Sequence, residues 1–419
     1  MLSIFEVVGG VICLVALFGY FNHRFIRLPD ATGITAVGMS ASLAAVIYGN
    51  FDPAFASGVK DLIGQLDFAE FLLHGLLGLL LFAGSLHIQF EDIAKEKWLI
   101  LALATVGVVT STLLVGAGFY AVTQLLGLGI PFLYCLMFGA LISPTDPIAV
   151  LAILKRLGVP KSLETRIAGE SLFNDGTAVV IFLTVLELAT GSGHATVSGT
   201  AMLFLTEVAG GLLFGAVAGY VGFVMLRGVD SYAVEILITL ALATGGYAGA
   251  EALHVSAPIA VVLMGLVIGN RGKVEAMTEE TRTRLFGFWE VLDELLNLLL
   301  FGLIGLEMVI LSFTYLEALV GVAAIAIVLA ARFASISGPI LASPRLRQYA
   351  RPAIIIMGWG GLRGGVSIAL ALSLPEFGGR EYVVSATYLV VVFSILVQAL
   401  TLSRVTRRAI AAATRGRNN

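Results

Sequence analysis

The chain has 419 residues, of which 58% are apolar and only 13% are charged. Ordinary soluble domains carry about a quarter of charged residues, and a soluble fold of this size cannot hide so much apolar surface. The composition therefore excludes an ordinary soluble protein and indicates that lipid is the main solvent of the chain. The net charge of −3 says little as a total, because the basic residues gather in particular loops.

Thirteen stretches are candidates for transmembrane helices, each of which needs about 20 predominantly apolar residues. The first has no basic segment before it, so we interpret it as a retained span and not a signal peptide. The chain is thus predicted to be an all-α polytopic membrane protein. The predicted spans are Ile4–Phe21, Ala31–Gly49, Phe68–Ile88, Trp98–Leu126, Pro131–Leu154, Ile167–Ala189, Met202–Leu226, Tyr232–Ala252, Val255–Gly269, Leu285–Leu311, Leu316–Leu341, Ala353–Leu374 and Val383–Leu402.

Lysine and arginine give the orientation, because they are enriched in cytoplasmic loops. With the N-terminus outside, all but three of the 25 Lys and Arg residues are assigned to inner loops. Arg332 is one of the residues assigned there. Lys60 and Arg380 fall in outer loops, and Arg363 lies inside a span. We therefore predict a multi-pass protein of a bacterial inner membrane, with a periplasmic N-terminus and a cytoplasmic C-terminus. The short basic C-terminal segment is expected to lie at the membrane interface near anionic lipid.

Two of the predicted spans, the fifth and the twelfth, are interrupted. Ser143–Pro147 (SPTDP) interrupts the fifth, and Gly358–Gly365 (GWGGLRGG) interrupts the twelfth. Proline lacks a backbone donor and glycine leaves the backbone free, so both stretches are predicted to unwind. Spans one to six and eight to thirteen would form two inverted six-helix repeats, with broken helices 5 and 12 crossing at the midplane. Interruptions at matching positions of inverted repeats mark the binding site of secondary transporters.

Four charged residues lie near the centre of predicted spans: Asp146, Glu170, Asp175 and Arg363. A charge at the bilayer centre costs about 3 kcal/mol on insertion scales, so each needs a partner or a function. The remaining acidic residues of the spans lie nearer their ends, where we expect interfacial water to solvate them. These are Glu6, Glu187, Glu207, Glu235, Glu290, Asp293, Glu294 and Glu307.

Helical spacing on the sixth span places Ser171 one turn below Asp175, and Asp146 can reach the same place from the fifth span. Carboxylates, a hydroxyl and freed carbonyls such as that of Thr145 suit a hard cation such as Na⁺. Two aspartates that are close together and poorly solvated repel each other, so a proton or a cation must compensate them.

A buried arginine is costly when it is unpaired, so Glu170 is the predicted partner of Arg363. A purely structural interpretation stays open for the whole cluster. The charges could form a salt-bridge network that only fixes helix packing, and Asp146 could only cap a half-helix.

At these residues the sequence resembles the sodium/proton exchanger family, specifically the prokaryotic NhaP-type antiporters of the cation/proton antiporter superfamily. The motifs that carry the resemblance are Ser143–Pro147, Gly169–Gly176 (GESLFNDG) and Gly358–Gly364. Leu79–Gly84 and Leu300–Glu307 are weaker matches. The motifs occur in the order of the family and cover nearly the whole chain.

The resemblance implies a homodimer that exchanges a monovalent cation, Na⁺ with Li⁺ and K⁺ left open, for H⁺. A core domain would move like an elevator against a dimerisation domain, in alternating access. The implied divisions are dimerisation domain 1–90 and 231–315, core transport domain 91–200 and 316–405, linker helix 201–230 and a short basic cytoplasmic tail 406–419.

By the same resemblance, Asp146 and Asp175 carry the cation and the proton, while Ser171 and the backbone of Thr145 coordinate the ion. The asparagine before the second aspartate goes with electroneutral one-for-one exchange in the family. The supporting residues are Asn174, Glu170 and Arg363.

The nearest alternative is a sodium-coupled solute symporter of related fold. An enzyme is disfavoured, because no histidine begins a His-Glu-x-x-His zinc motif and neither aspartate has the Gly-x-Gly-Asp setting of an intramembrane protease. We expect no cofactor besides the transported Na⁺ and H⁺. The expected partners are a second copy of the chain and the lipid bilayer, with no nucleic acid and no soluble protein.

Overall fold

The computed structural model describes residues 4–49, 51–52, 58, 68–191, 197–309, 314–343 and 350–418. In these ranges the secondary structure is helical, apart from one isolated β-bridge. In chain order the helices are α1 (Ile4–Phe21), α2 (Asp30–Gly49), α3 (Phe68–Leu86), α4 (Phe90–Leu125), α5 (Phe132–Leu141), α6 (Ile148–Leu157), α7 (Lys161–Thr190), α8 (Val197–Arg227), α9 (Tyr232–Ala252), α10 (Ala257–Glu275), α11 (Glu279–Glu307), α12 (Tyr315–Ala342), α13 (Ala350–Trp359), α14 (Gly365–Leu372) and α15 (Arg380–Ala412).

Ten helices in the described part of the chain are long and apolar enough to cross a membrane. The others are the four short helices α5, α6, α13 and α14 and the long, more acidic helix α11. The two pairs of short helices lie where the sequence predicts interrupted spans. The prediction of an all-helical polytopic membrane protein is confirmed, whereas the number of crossings stays a prediction.

Several helices begin earlier than their apolar stretches. Helix α4 begins at Phe90, not at Trp98, and its first turns carry charged residues that a hydropathy criterion leaves out. These turns are tied to the start of α7. Asp92 accepts from Lys161 at 2.8 Å, and Glu96 forms a bidentate ion pair with Arg166 with N–O distances of 2.9 and 3.0 Å. The ion pairs extend both helices beyond the predicted spans.

Local sequence signals fix several helix ends. Thr278 and Thr314 begin α11 and α12 with capping boxes, in which each threonine side chain accepts a hydrogen bond from the backbone three residues later. Gly158 ends α6 in the left-handed conformation, with a φ of 63° that glycine adopts without a steric penalty. These ends make the connections around α6 and α11 short.

One group of helices is centred on the contact between α2 and α11. Gly305 lets the two backbones approach closely, since an added Cβ would lie 2.9 Å from the carbonyl oxygen of Thr35. The hydroxyl of Thr35 donates to the carbonyl of Phe301 at 3.0 Å, and that of Ser42 donates to the carbonyl of Gly305 at 2.9 Å. Small residues and interhelical hydroxyl bonds are the usual means of helix association in lipid. Helices α1, α3 and α9 pack around this contact.

A second group of helices surrounds the four short ones. Helix α12 packs against α4, α13 and α15, and α5 packs between α4 and α7. Phe119 of α4 and Phe138 of α5 are fully buried, with their ring centroids 4.3 Å apart. The short helices are therefore held inside the bundle by protein on several sides, which is the setting that irregular backbone requires at membrane depth.

The outward faces of the bundle are apolar. Leu213 on α8 and Leu237 on α9 are 69% and 65% exposed, and Trp98 near the start of α4 is 75% exposed. Large exposed apolar surfaces of this kind are rare on soluble monomers and are expected where lipid tails solvate the protein. The exposed surface agrees with a multi-pass membrane protein.

Gly305→Val is expected to lower the melting temperature of the protein in detergent. The new Cβ collides with the backbone of α2, and overpacking typically costs about 1–3 kcal/mol. Gly9→Val is the matched control, because it places the same residue in a helix where an added Cβ meets nothing within 4 Å. Equal melting temperatures for the two variants would contradict the close α2–α11 contact.

Candidate functional site

The two interrupted segments meet where each of them leaves the helical conformation. The backbone N–H of Asp146, between α5 and α6, donates to the carbonyl of Leu362, between α13 and α14, at 2.8 Å. The two residues form an isolated antiparallel bridge. The predicted unwinding of both segments is confirmed, and the bridge places the two breaks against each other.

Asp146 is held at the crossing by two local features. Its Oδ1 accepts from the backbone N–H of Ile148 at 2.9 Å, so the carboxylate caps the N-terminus of α6. Gly364 passes directly beside this carboxylate, since an added Cβ would lie 2.9 Å from its Oδ2. The capping role is thus real, and it leaves the Oδ2 atom facing the crossing.

Arg363 satisfies the backbone that the first break exposes. Its Nη1 donates to the carbonyls of Ser143 and, at 2.9 Å, Pro144, which follow the C-terminal end of α5. Freed carbonyls at a helix C-terminus carry partial negative charge, so a guanidinium neutralises them. The side chain is only 2% exposed. Arg363 therefore ties the second broken segment to the first.

A π-helical turn in α15 satisfies the second break. The backbone N–H of Arg363 donates to Ser394 Oγ at 2.8 Å. Gln398, at the other end of the same turn, donates from Nε2 to the carbonyl of Trp359 at 2.9 Å. The turn Ser394–Gln398 thus supplies an acceptor and a donor to opposite ends of the break.

The predicted ion pair between Glu170 and Arg363 is wrong. Glu170 instead binds Arg332 of α12, with one bond between Nη1 and Oε1 and a second between Nη2 and Oε2 at 3.0 Å. Both residues are buried, at 1% and 7% exposure. Arg332 also does not belong to an inner loop. It lies well inside α12. Its position as the single arginine within the predicted span Leu316–Leu341 already indicated that it lies inside a helix.

A small cluster of polar side chains connects the first break to α7. Thr145 Oγ1 lies 2.9 Å from Ser171 Oγ and accepts from Asn174 Nδ2 at 2.8 Å. The backbone N–H of Thr145 donates back to Asn174 Oδ1 at 3.4 Å. All three residues are at most 3% exposed. Asn174 is therefore committed to holding the threonine in place.

A cavity of about 710 Å³ reaches this cluster. Asp146 and Asp175 line it and are half-buried. Thr145 and Ser171 line it as well and are buried. The structure thus brings the four predicted ion-binding residues to one cavity, while Glu170 lies outside its lining. Their role in binding an ion stays a prediction.

The far wall of the cavity contains residues that the sequence reasoning missed. Helix α11 contributes Asp293 and Asn297. Lys155 and Lys161 also line the cavity and are exposed, so we take their side as its open end. Asp293 was expected to be solvated near a span end, but it faces the cavity from within α11. Glu235 and Glu307, expected at the interface, are buried at 1% and 6% exposure. The sequence feature that could have indicated the position of Asp293 is Asn297, a second polar residue on the same helix face one turn later.

Of the acidic residues that line the cavity, Asp146 and Asp175 are the two beside the buried polar cluster of Thr145 and Ser171. No lysine or arginine of the described chain forms an ion pair with Asp146 or Asp175. The nearby arginines are occupied, Arg332 by Glu170 and Arg363 by backbone carbonyls. Oxygen ligands of this kind bind hard cations, and a carboxylate in such a place also binds a proton.

Comparison with known proteins gives the family context. Residues 12–408 match the family model described as sodium/hydrogen exchanger, transmembrane. The chain is 48% identical over 410 residues to the Na⁺/H⁺ antiporter NhaP of Pseudomonas aeruginosa, with 96% of each chain covered. It is 36% identical over 394 residues to the Na⁺/H⁺ antiporter NhaH of Halobacillus aidingensis, with 92% of this chain and 93% of the relative covered.

A solved structure has the same fold. The sodium proton antiporter MjNhaP1 of Methanocaldococcus jannaschii superposes with a TM-score of 0.73, over 98% of this chain and 100% of that one. The sequences are only 16% identical, so this comparison concerns the fold alone.

Arg332→Gln is expected to reduce the yield of folded protein sharply, measured by size-exclusion chromatography in detergent. The substitution leaves Glu170 charged and buried, and breaking a buried ion pair typically costs about 3–5 kcal/mol. Adding Glu170→Gln removes the orphaned charge and should restore part of the yield.

Arg284→Gln is the control for this pair. It removes the arginine of an exposed ion pair with Glu280, in which the side chains are 50% and 71% exposed. Exposed pairs contribute at most about 1 kcal/mol, so the yield should not change. A normal yield of Arg332→Gln, or a double variant no better than the single one, would contradict the pairing.

Proposed function

Because the chain belongs to the sodium/hydrogen exchanger family, we propose that it is a Na⁺/H⁺ antiporter in which Asp146 and Asp175 bind cation and proton in turn. The observation that carries the proposal is the pair of half-buried carboxylates in one cavity, without a basic partner among the described residues. Such a site has to be neutralised by something that enters through the cavity. A cation and a proton compete for it, and a site that faces alternate sides then exchanges one for the other.

The neighbouring oxygens support a small alkali ion as the cargo. Thr145 and Ser171 line the cavity beside the two aspartates, so carboxylate, hydroxyl and backbone oxygens converge there. Na⁺ is the cation that the antiporters named above are described as exchanging. We propose Na⁺ as the main substrate, with Li⁺ and K⁺ to be compared with it in the same assay.

We propose one-for-one, electroneutral exchange. Asn174, next to Asp175, carries no charge and is committed to Thr145 by two hydrogen bonds. Glu170 is neutralised by Arg332. Asp146 and Asp175 are the charged groups beside this neutral cluster, and we propose that one proton replaces one monovalent cation there.

The architecture supports thirteen crossings. Ten crossings would be the long apolar helices. The pair α5–α6, the pair α13–α14 and helix α11 would each add one more crossing. In the antiparallel bridge between Asp146 and Leu362 the two breaks run in opposite directions, which supports two inverted six-helix repeats. We propose a bacterial inner membrane location, with the N-terminus in the periplasm and the C-terminus in the cytoplasm.

The two helix groups support a division into a fixed and a mobile part. We propose that the group around α2 and α11 belongs to a dimerisation domain at 1–90 and 231–315. We propose that the group with the four short helices belongs to a core transport domain at 91–200 and 316–405. We propose a homodimer in which the core moves like an elevator, with no cofactor and no soluble partner. The open end of the cavity at Lys155 and Lys161 would face the cytoplasm in this state.

Asp175→Asn is expected to abolish exchange while the protein stays folded. The measurement is the Na⁺-induced dissipation of a pH gradient in proteoliposomes, read from a pH-sensitive dye. Glu187→Gln is the matched control on the same helix, because Glu187 is exposed and lies outside the cavity lining. Substantial flux through folded Asp175→Asn would refute the proposal. A pH gradient that dissipates only when an organic solute is added would favour the sodium-coupled symporter.

Electroneutral exchange predicts that membrane potential leaves the rate unchanged. One net charge moved across the membrane is worth about 2.3 kcal/mol per 100 mV, so an electrogenic cycle would respond strongly. Proteoliposomes with an imposed potential of either sign should give equal initial rates of Na⁺-driven proton flux. A rate that rises with one sign and falls with the other would exclude one-for-one exchange.

A further inference from the structure

Helices α11 and α14 contribute a second group of oxygen atoms to the wall of the cavity. Asp293 and Asn297 are one turn apart on α11, and Ser367 lies in the first turn of α14. All three line the same cavity as Asp146. Helices α11 and α14 are in direct contact, because Leu300 of α11 packs on Gly365 of α14.

The side-chain amide of Asn297 is oriented by its neighbours. Its Nδ2 donates to the carbonyl oxygen of Asp293 at 2.7 Å and to Oδ1 of the same residue at 3.1 Å. Both partners are acceptors, so the flipped amide would bring oxygen against oxygen. Asn297 Oδ1 therefore points the other way. This oxygen is buried and accepts no hydrogen bond from the described residues. Asn297 as a whole is only 5% exposed.

Ser367 shows the same lack of a partner. Its Oγ is buried and has no hydrogen-bond partner in the described part of the chain, and the residue is 1% exposed. A buried polar atom without a partner costs about 1–3 kcal/mol, and native proteins contain few of them. Both residues line the cavity that Asp293 also lines, so an occupant of this cavity is available as the partner that the described residues do not supply.

We propose that Asp293, Asn297 and Ser367 form a second, weaker binding position for the transported monovalent cation. The carboxylate supplies the charge, while the amide and hydroxyl oxygens supply ligands that the fold leaves unpaired. This inference rests on the proposed antiport function, since the cation is the same one that Asp146 and Asp175 bind. The cation pauses here between the open end of the cavity and the two aspartates.

The position has a consequence for the transport cycle. Asp293 and Asn297 belong to the helix group proposed to stay fixed, whereas Ser367 belongs to the group proposed to move. The full set of ligands therefore exists only while α14 faces α11 as it does here. Movement of the core separates the hydroxyl from the other two ligands, so a cation cannot remain behind when the loaded core leaves.

Transport kinetics test this position. Ser367→Ala and Asp293→Asn are each expected to raise the KM for Na⁺ by about threefold to tenfold, the size of one lost ligand interaction, with kcat nearly unchanged. Ser373→Ala is the matched control in the turn that ends α14, because its hydroxyl donates to a backbone carbonyl and lies outside the cavity lining. Glu294→Gln removes an acidic group from the same cavity, and its smaller effect separates a binding position from general electrostatic attraction.

Direct binding distinguishes failure of this inference from failure of the antiport proposal. Sodium NMR relaxation, which reports weak binding, is measured on purified Asp146→Asn/Asp175→Asn protein. Residual Na⁺ binding that disappears on adding Ser367→Ala or Asp293→Asn supports the second position. No residual binding, or an equal effect of Glu294→Gln and Asp293→Asn on KM, overturns it and indicates a water-filled pocket. If wild-type protein gives no Na⁺/H⁺ exchange, the proposed function itself fails.

Discussion

At the crossing of the interrupted segments, backbone groups that a helix would normally satisfy are satisfied by the other segment. The amide of Asp146 donates to the carbonyl of Leu362, and the guanidinium of Arg363 takes the carbonyls of Ser143 and Pro144. In a low-dielectric bundle, unpaired groups of this kind would cost several kcal/mol each. The reciprocal arrangement therefore makes it possible to keep non-helical backbone, and with it an aspartate, in the middle of the protein.

The crossing also determines which charges remain free. Arg363 is engaged by carbonyls and Arg332 by Glu170, so neither guanidinium is committed to Asp146 or Asp175. The two buried arginines thus stabilise the scaffold, while Asp146 and Asp175 line the cavity. A fixed ion pair at the aspartates would have closed the site to any mobile ion. Because the two arginines are occupied elsewhere, the carboxylates of Asp146 and Asp175 stay available to a mobile ion.

The sequence predicts much of this arrangement and misses a definable part. The motifs around Asp146, Asn174 and Arg363 identify both breaks and the side chains near them, because proline, glycine and central charges are rare within apolar spans. The sequence does not predict the ion-pair partner of Glu170. Either buried arginine is a candidate, and only the rotation of α12 in the fold selects Arg332. Asp293 lies near the start of its predicted span, and hydropathy cannot tell which side of a helix faces a cavity. Helix starts such as Phe90 extend beyond the apolar stretch because ion pairs stabilise them.

The π-helical turn Ser394–Gln398 also affects the end of the chain. Such a turn inserts one extra residue, and each residue advances an α-helix by about 100°. The arginines after it, on a strongly amphipathic helix, are therefore turned by that angle from where a regular helix would aim them. The same irregularity that supplies partners to the second break thus sets the side of the C-terminal helix on which Arg404, Arg407 and Arg408 lie. Shortening the turn by one residue would move these three arginines to another side of the helix.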